Sequence, residues 1–302
     1  MISNEPNDSE HLISYEEMSD GTPRSVSGEK CQTAQLPCAN GHNGIVIKIG
    51  GSTLGNHDTT LDDIVELQKF GEKICVVHGG GKTISEWMEK QGVRPKFTDG
   101  LRVTDAASLE IVVAVLTGLI NKNLVAEIAA SGGNAIGICG ADLGLLKAEI
   151  TRPELGFVGA IKFVDPNPIM TILASGSIPV IAPVAIQSKD INGATNSKHQ
   201  LLNVNADTAA GEISAALHAD HMIFLTDVPG VLDSSRRLIP RLTLRQAEQI
   251  MHSSVVAGGM VPKIEACLTS IKGGGKSFIA DGRKPNTLQD IINGKSTGTR
   301  IN

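Results

Sequence analysis

From Gly44 onward, short apolar runs ending in glycine turns alternate with stretches of helical periodicity. Ile45–Ile49 is a β-branched run stopped by Gly50-Gly51, which predicts a strand and a tight turn. Leu61, Ile64, Val65 and Leu67 then recur at the spacing of an amphipathic helix. Lys73–Val77 predicts the next strand and Lys82–Gln91 the next helix. A strand, glycine turn and helix that occur twice in succession call for a parallel sheet with helices on its faces. Asp105–Ala130 predicts one long helix capped by Asp105, and its apolar stretch Ile111–Leu116 is broad enough to bury against both the sheet and a second subunit. Further strands are expected at Ala135–Ile138, Leu145–Glu149 and Phe157–Val164, followed by a helix at Pro168–Ala174 and a buried strand at Ile178–Ile181. After a polar loop (187–200) come helix Asp207–Leu217, strand Met222–Leu225, helices Gln246–His252 and Pro262–Ile271, and strand Ser277–Ala280. Strands thus alternate with helices to the end.

Residues 1–43 break this pattern. They are rich in Ser, Asn, Glu, Gly and Pro and show no sustained period, so they read as a disordered acidic tail. The tail carries Glu5, Asp8, Glu10, Glu16, Glu17, Asp20 and Glu29 against Arg24 and Lys30, which accounts for the whole formal charge of −5. The remainder is near neutral and offers no basic stripe to follow a phosphodiester backbone, so nucleic acid is a poor partner. A length of 302 residues allows one large α/β domain or two ordinary ones. Aromatics are scarce at 3% and glycine plentiful at 33 residues, which suits α/β layers of aliphatic side chains joined by glycine turns. The five cysteines are scattered without metal-ligand spacing and read as reduced thiols, the last three as small buried hydrophobes. The apolar run Ile111–Ile120 is too short to span a bilayer, and the polar N-terminus is no signal peptide, so a soluble cytoplasmic protein is expected.

One motif invites a wrong conclusion. Cys75-Val-Val-His-Gly-Gly-Gly-Lys-Thr83 ends like a P-loop, but the P-loop needs glycine at 76, where Val76 stands. Gly-Lys-Ser277 fails in the same way at Ser270. The glycines therefore need another explanation, and three features suggest one. Lys48 sits near the end of an apolar strand, where a charge is costly unless its head reaches an anion, a partner or water. His78-Gly79-Gly80-Gly81 joins a strand to a helix, so its bare backbone N–H groups can approach phosphate or carboxylate oxygens. Asn203-Val-Asn-Ala-Asp207 opens a helix, and Thr226-Asp-Val-Pro-Gly-Val-Leu232 follows the next strand; turn and cap chemistry is an equal account of both.

Taken together, "IVIKIGG", "VVHGGG", "DGLRVTD", "NVNADTAA", "TDVPGVL" and "GGMVPKIEA", in that order, resemble the amino acid kinase family over Gly44–Asn302. The arginine-containing "GLRVTD" and the "NVNAD" segment point to the branch that phosphorylates the side-chain carboxylate of N-acetyl-L-glutamate with ATP. The resemblance implies a three-layer α/β/α sandwich around a mainly parallel central sheet, with acceptor bound in the N-terminal half and nucleotide in the C-terminal half. It implies that Lys48 and Lys263 stabilise the transferring phosphoryl group and that Asp207 holds both lysines. Gly80, Gly81, Arg102 and Asn203 would bind the acceptor, Arg102 as a bidentate clamp on its α-carboxylate. Gly50, Gly51 and the stretch Asp227, Val228, Pro229, Gly230, Val231 and Leu232 would bind nucleotide, with Mg2+ carried mainly by the phosphates.

The sequence departs from the family pattern at two places. Lys82 stands where many relatives carry proline or a small residue and reads as a solvated first-turn lysine. The loop Gln187–Leu202 is long for the family's hairpin. The tail lacks helical amphipathicity and the C-terminal stretch lacks the His and Glu of arginine-regulated members, so an arginine-insensitive homodimer is expected. A kinase of an aminoadipate derivative, or a silent ligand-binding protein, are the alternatives.

Overall fold

The computed structural model of the protein describes residues 43–50, 59–188, 200–253, 256 and 258–302. The tail expected at 1–43 therefore lies outside the described residues except for Asn43, and so does Gly51. The first strand–turn–helix repeat forms as β1 (Ile45–Ile49), α1 (Thr60–Lys69), β2 (Ile74–His78) and α2 (Gly81–Lys90). A hairpin follows that the apolar pattern did not predict: β3 (Lys96–Thr98) and β4 (Leu101–Val103), antiparallel. Its two-residue turn, Asp99-Gly100, has both φ angles positive, at 51° and 77°. Asp-Gly is the pair that such turns favour, because glycine has no Cβ penalty there and aspartate tolerates it.

The long helix expected from Asp105 is present, with Asp105 accepting the Ser108 N–H at 2.8 Å as its cap. It is not uniformly α-helical. α3 (Ala106–Val113) and α4 (Asn121–Ala130) are joined through a π-helical segment at Ala114–Ile120, a rare form that recurs at functional sites. The whole span of 25 residues is long and apolar enough to cross a membrane by length and composition, which the run Ile111–Ile120 alone is not. Ile111, Val112, Val115, Leu116, Leu124 and Ile128 are nevertheless buried within the fold.

The second half continues with β5 (Ala135–Cys139), β6 (Leu146–Glu149), β7 (Val158–Val164), α5 (Asn167–Ala174), β8 (Ile178–Ala182), β9 (Val184–Gln187) and β10 (Leu201–Val204). Then come α6 (Ala206–Ala216), β11 (His221–Thr226), β12 (Arg241–Leu242), α7 (Leu244–Met251), α8 (Met260–Lys272), β13 (Lys276–Asp281), α9 (Thr287–Ile292) and β14 (Thr299–Ile301). The central sheet has the order β12-β14-β13-β11-β1-β2-β8-β5 and is parallel except between β13 and β14. Strict alternation of strand and helix does not hold elsewhere: β6, β7, β9 and β10 close into a small barrel that includes antiparallel pairs.

Side chains on the central strands alternate between two cores. Ile47, Val76, Val180 and Ile223 pack with Ile64 of α1, Leu124 and Ile128 of α4 and Leu288 of α9. Val46, Val77, Ile181 and Phe224 pack on the other face with Ile169 of α5, Ile213 of α6 and Ile264 of α8. Each fully buried side chain of this size contributes roughly 1.5–3 kcal/mol relative to exposure, so the two apolar faces hold the three layers together. Cys75 and Cys267 lie in this interior and Cys139 is half-buried; burial pushes all three thiols up, away from the reactive thiolate.

Candidate active site

Lys48 occupies the β1 position that faces the same side as Val46, one residue short of the strand's carboxyl end. There its neighbour is the first turn of α6. Lys48 Nζ lies 2.7 Å from Asp207 Oδ1 as an ion pair, and Lys263 Nζ donates to Asp207 Oδ2 at 2.7 Å. The lysine side chains are 9% and 15% exposed and that of Asp207 is 9%, so this is a nearly dry triad with one positive charge in excess.

Close helix packing assembles it. A Cβ on Gly211 would come within 2.7 Å of the Ala266 carbonyl oxygen, so only glycine lets α6 approach α8 this tightly. One turn along, Ser214 Oγ and Ser270 Oγ meet at 2.8 Å in the interior. Asp207 lies four residues before Gly211 and Lys263 three before Ala266, so the same contact brings carboxylate and ammonium together. Asn205 caps α6, its Oδ1 accepting from the N–H groups of Asp207 at 2.9 Å and Thr208 at 3.0 Å.

Burial sets the charge balance. It draws the Lys48 ammonium below its ordinary value, helped by Lys263 and opposed by Asp207. Burial alone would raise the Asp207 carboxyl, but the two ammonium groups outweigh it and hold the carboxyl below the usual range. Removing either lysine leaves a neutral lysine–aspartate pair, whereas removing Asp207 leaves two buried ammonium groups side by side; holding the surplus positive charge is an expensive arrangement for stability alone.

Two cavities meet at Lys48 and Gly81. The first, about 240 Å³, is lined among others by Gly79, Gly80, Arg102, Asn203 and Asp207. The second, about 290 Å³, is lined by Gly50, Lys82, Leu225, Thr226, Asp227 and Lys263 besides the two shared residues. Both open beyond the carboxyl ends of β1, β2 and β11, where open α/β sheets bind ligands.

The wall of the first cavity is braced from behind. His78 is 1% exposed, and its Nδ1–H donates to the Gly79 carbonyl at 3.0 Å while Nε2 accepts from Asn121 Nδ2 at 3.2 Å. Lys122 Nζ donates to Asn121 Oδ1 at 2.9 Å and so fixes which end of that amide faces the imidazole. Burial pushes the His78 pKa down to about 4, with Lys48 and Lys122 acting in the same direction. Because a trans peptide sets its C=O and N–H antiparallel, pinning the Gly79 carbonyl to the ring turns the Gly80 N–H away from it. A side chain on Gly80 would run into Ile120 and Leu116 of the π-helical segment; one on Gly81 would meet nothing.

Arg102 enters this wall from β4. Its Nη2 donates to the Gly81 carbonyl at 2.8 Å and to Ser85 Oγ at 2.9 Å, and its guanidinium lies 4.7 Å from the centre of the Phe97 ring across the hairpin. Both Nη2 hydrogens are thus engaged within the protein, so a bidentate grip on a ligand carboxylate must exchange one of these bonds. Asn203 Nδ2 donates to Thr104 Oγ1 at 3.1 Å.

Of the stretch 227–232, Asp227 lines the second cavity. Val231 is fully buried with its N–H on Thr299 Oγ1 at 2.8 Å, and Gly230 has φ 144° with Thr299 and Leu238 where a Cβ would stand. These two are packed turn positions rather than cavity lining. Lys48, Asp207, Lys263, Gly80, Gly81, Arg102, Asn203, Gly50 and Asp227 come together around the paired cavities, while Gly51 lies outside the described residues. Gly79 and Thr226, in stretches that the sequence singled out, also line the cavities, whereas sequence reasoning missed Phe97. Phe97 had a readable signal in the Asp99-Gly100 turn that places it opposite Arg102.

Comparison with known proteins adds the following. The profile of the amino acid kinase family matches residues 43–281. An acetylglutamate kinase from Acaryochloris marina is 40% identical over 269 residues, covering 85% of this chain and 90% of that one. Another from Synechocystis sp. is 42% identical over 252 residues, 81% of this chain and 82% of its relative. Among solved structures, smu.665 from Streptococcus mutans superposes with a TM-score of 0.72 at 29% identity, covering 86% of this chain and 98% of that one.

Proposed function

The chain belongs to the amino acid kinase family, and from that premise we propose that it transfers the γ-phosphoryl group of ATP to the side-chain carboxylate of N-acetyl-L-glutamate, giving N-acetyl-L-glutamyl 5-phosphate for arginine biosynthesis. The observation that carries this reading is the Lys48–Asp207–Lys263 triad, placed where two cavities meet. A γ-carboxylate with a pKa of about 4.3 is already ionised at neutral pH, so the reaction needs no general base. What opposes it is the approach of one anion to another and the charge on the transferring group. That calls for fixed positive charge at the junction, held by Asp207 so that little reorganisation accompanies transfer.

In this reading the first cavity takes the acceptor. Arg102 and Asn203 hold it, the N–H groups of Gly80 and Gly81 face its reacting end, and Lys48 reaches the attacking carboxylate. The second cavity takes the nucleotide phosphates, with Lys263 at the γ-phosphoryl group and Gly50 and Asp227 along the nucleotide. Magnesium, carried mainly by the phosphates, supplies neutralisation of their charge; Asp207 is already committed to two ammonium groups, which leaves Asp227 as the carboxylate lining that cavity among the described residues. Residues 44–302 act as one kinase domain, though Asn203 and Asp207 reach the acceptor cavity from the second half of the chain. The enzyme is read as cytoplasmic and as a homodimer, using the partly open face of the Ala106–Ala130 helix around Val113 and Thr117.

The test is an ATP-dependent hydroxamate assay across glutamate, aspartate, N-acetylglutamate and N-acetylaminoadipate. Turnover is expected with N-acetylglutamate. Preference for N-acetylaminoadipate moves the reading to the sibling kinase, since one methylene is worth only about 1–3 kcal/mol of discrimination. Absence of hydroxamate from every acceptor overturns it.

A further inference from the structure

The second cavity contains a lysine that the mechanism above does not use. Lys82, in the first turn of α2, lines it together with Lys48 and Lys263, and it is not part of the first cavity. Three observations bear on its role. The first concerns charge: Asp227 is the carboxylate lining this cavity, and Lys48 and Lys263 are both held by Asp207 from outside the lining, so these four groups cancel and Lys82 adds the positive charge in excess. The second concerns pairing. Every lysine that reaches the triad shares Asp207, whereas no ion pair or hydrogen bond of the Lys82 side chain is found among the described residues. The third concerns the helix. α2 has no acidic residue in its first turn, and a lysine there adds positive charge to the end of the helix dipole that is already positive. A local stability argument therefore disfavours lysine at this position, while an anion in the cavity would reward both the lysine and the helix end.

We propose that Lys82 is a phosphate-binding residue for the donor nucleotide, adding affinity beyond that of the two lysines that share Asp207. This rests on the reading of the second cavity as the nucleotide side. The assignment differs from a solvated surface lysine, which would leave nucleotide affinity untouched, and from an acceptor contact, which would place Lys82 on the first cavity.

The experiment is titration of the full chain with ATP, and separately with ADP, by calorimetry for the unmodified protein and for Lys82→Ala and Lys82→Arg. Kinetics over both substrates run alongside. For Lys82→Ala we expect the dissociation constant and KM for ATP to rise about tenfold, KM for N-acetylglutamate to stay within about twofold, and Lys82→Arg to recover most of the loss. The substituted side chain is exposed and stands at the positive end of the helix dipole, so the thermal midpoint should not fall. Unchanged ATP affinity, or a change confined to the KM for the acceptor, overturns the proposal. If the unmodified protein binds ATP but phosphorylates no acceptor, the catalytic reading fails while the calorimetry still decides the role of Lys82.

Discussion

The two cavities that meet at Lys48 are built on different principles. The polar groups of the first are held in place before any ligand arrives: Arg102 by Gly81, Ser85 and Phe97, Asn203 by Thr104, and the glycine turn by His78 and Asn121. The second exposes Asp227 and Lys82, with Thr226 and Lys263 as its better-buried polar lining. A small acceptor distinguished by a methylene needs a fixed template, because selectivity comes from groups that cannot adjust. A polyphosphate with its cation is long and highly charged, and is held as well by adaptable lysines as by rigid ones. In the proposed reading, burial and pre-bonding mark the side that discriminates, and exposed charge the side that delivers.

The largest effects should come from the junction itself. Lys48→Ala and Lys263→Ala should each lower kcat by about 10²- to 10³-fold with folding retained, the loss expected for a transition-state donor. Steady-state kinetics should also separate them. Lys48→Ala disturbs both KM values, while Lys263→Ala disturbs that for ATP; an acceptor KM that rises in Lys263→Ala would dissolve the distinction between the cavities.

The brace behind the first cavity makes a pH prediction. The His78 pKa is depressed from 6.5 to about 4, so the native state excludes a proton that the unfolded chain accepts. Stability from this neutral imidazole is complete above about pH 6.5 and is lost as pH falls towards 4, amounting to about 2–3 kcal/mol by pH 4.5. Urea unfolding at pH 7 and 4.5 should show this loss, and His78→Gln should flatten it. Equal slopes in both proteins would remove His78 from the brace.

Arg102→Lys should raise KM for N-acetylglutamate about tenfold or more and leave KM for ATP nearly unchanged, because an ammonium cannot hold Gly81, Ser85 and a carboxylate together. Movement of the ATP value instead would put Arg102 on the wrong side. The smallest effect is expected for Phe97→Ala, where loss of an exposed cation–π contact should raise the acceptor KM about two- to fivefold through Arg102. An unchanged value would show that the main-chain and Ser85 contacts suffice to position the guanidinium.

Much of the fold was legible because its signals are local. Ile45–Ile49 with its glycine stop, the periodic Leu61–Leu67 stretch and the Asp105 cap each report short-range physics: burial alternation, helical spacing and a satisfied N–H. The closure of β6, β7, β9 and β10 into a barrel was not legible, since β6 and β7 read as strands but the pairings that join them to β9 and β10 link segments far apart in sequence. The π-helical turn at Ala114–Ile120 left no trace in the apolar pattern, because side chains of the same type serve either helix.

The candidate site divides in the same way. Residue type alone singled out Lys48, a charge inside an apolar strand that demands an anion, a partner or water, whereas Lys263, Asp207 and Arg102 were named through the resemblance of their motifs to the family. That Asp207 lies 2.7 Å from both lysines, however, depends on Gly211 meeting Ala266 across two helices. Which cavity receives Lys82 depends on how α2 leaves β2, and Val231 turned from expected lining into core because β14 packs over it through Thr299. Chemistry was written in the identity of single residues; their meeting was decided by packing between elements distant along the chain, where no local pattern reports the contact.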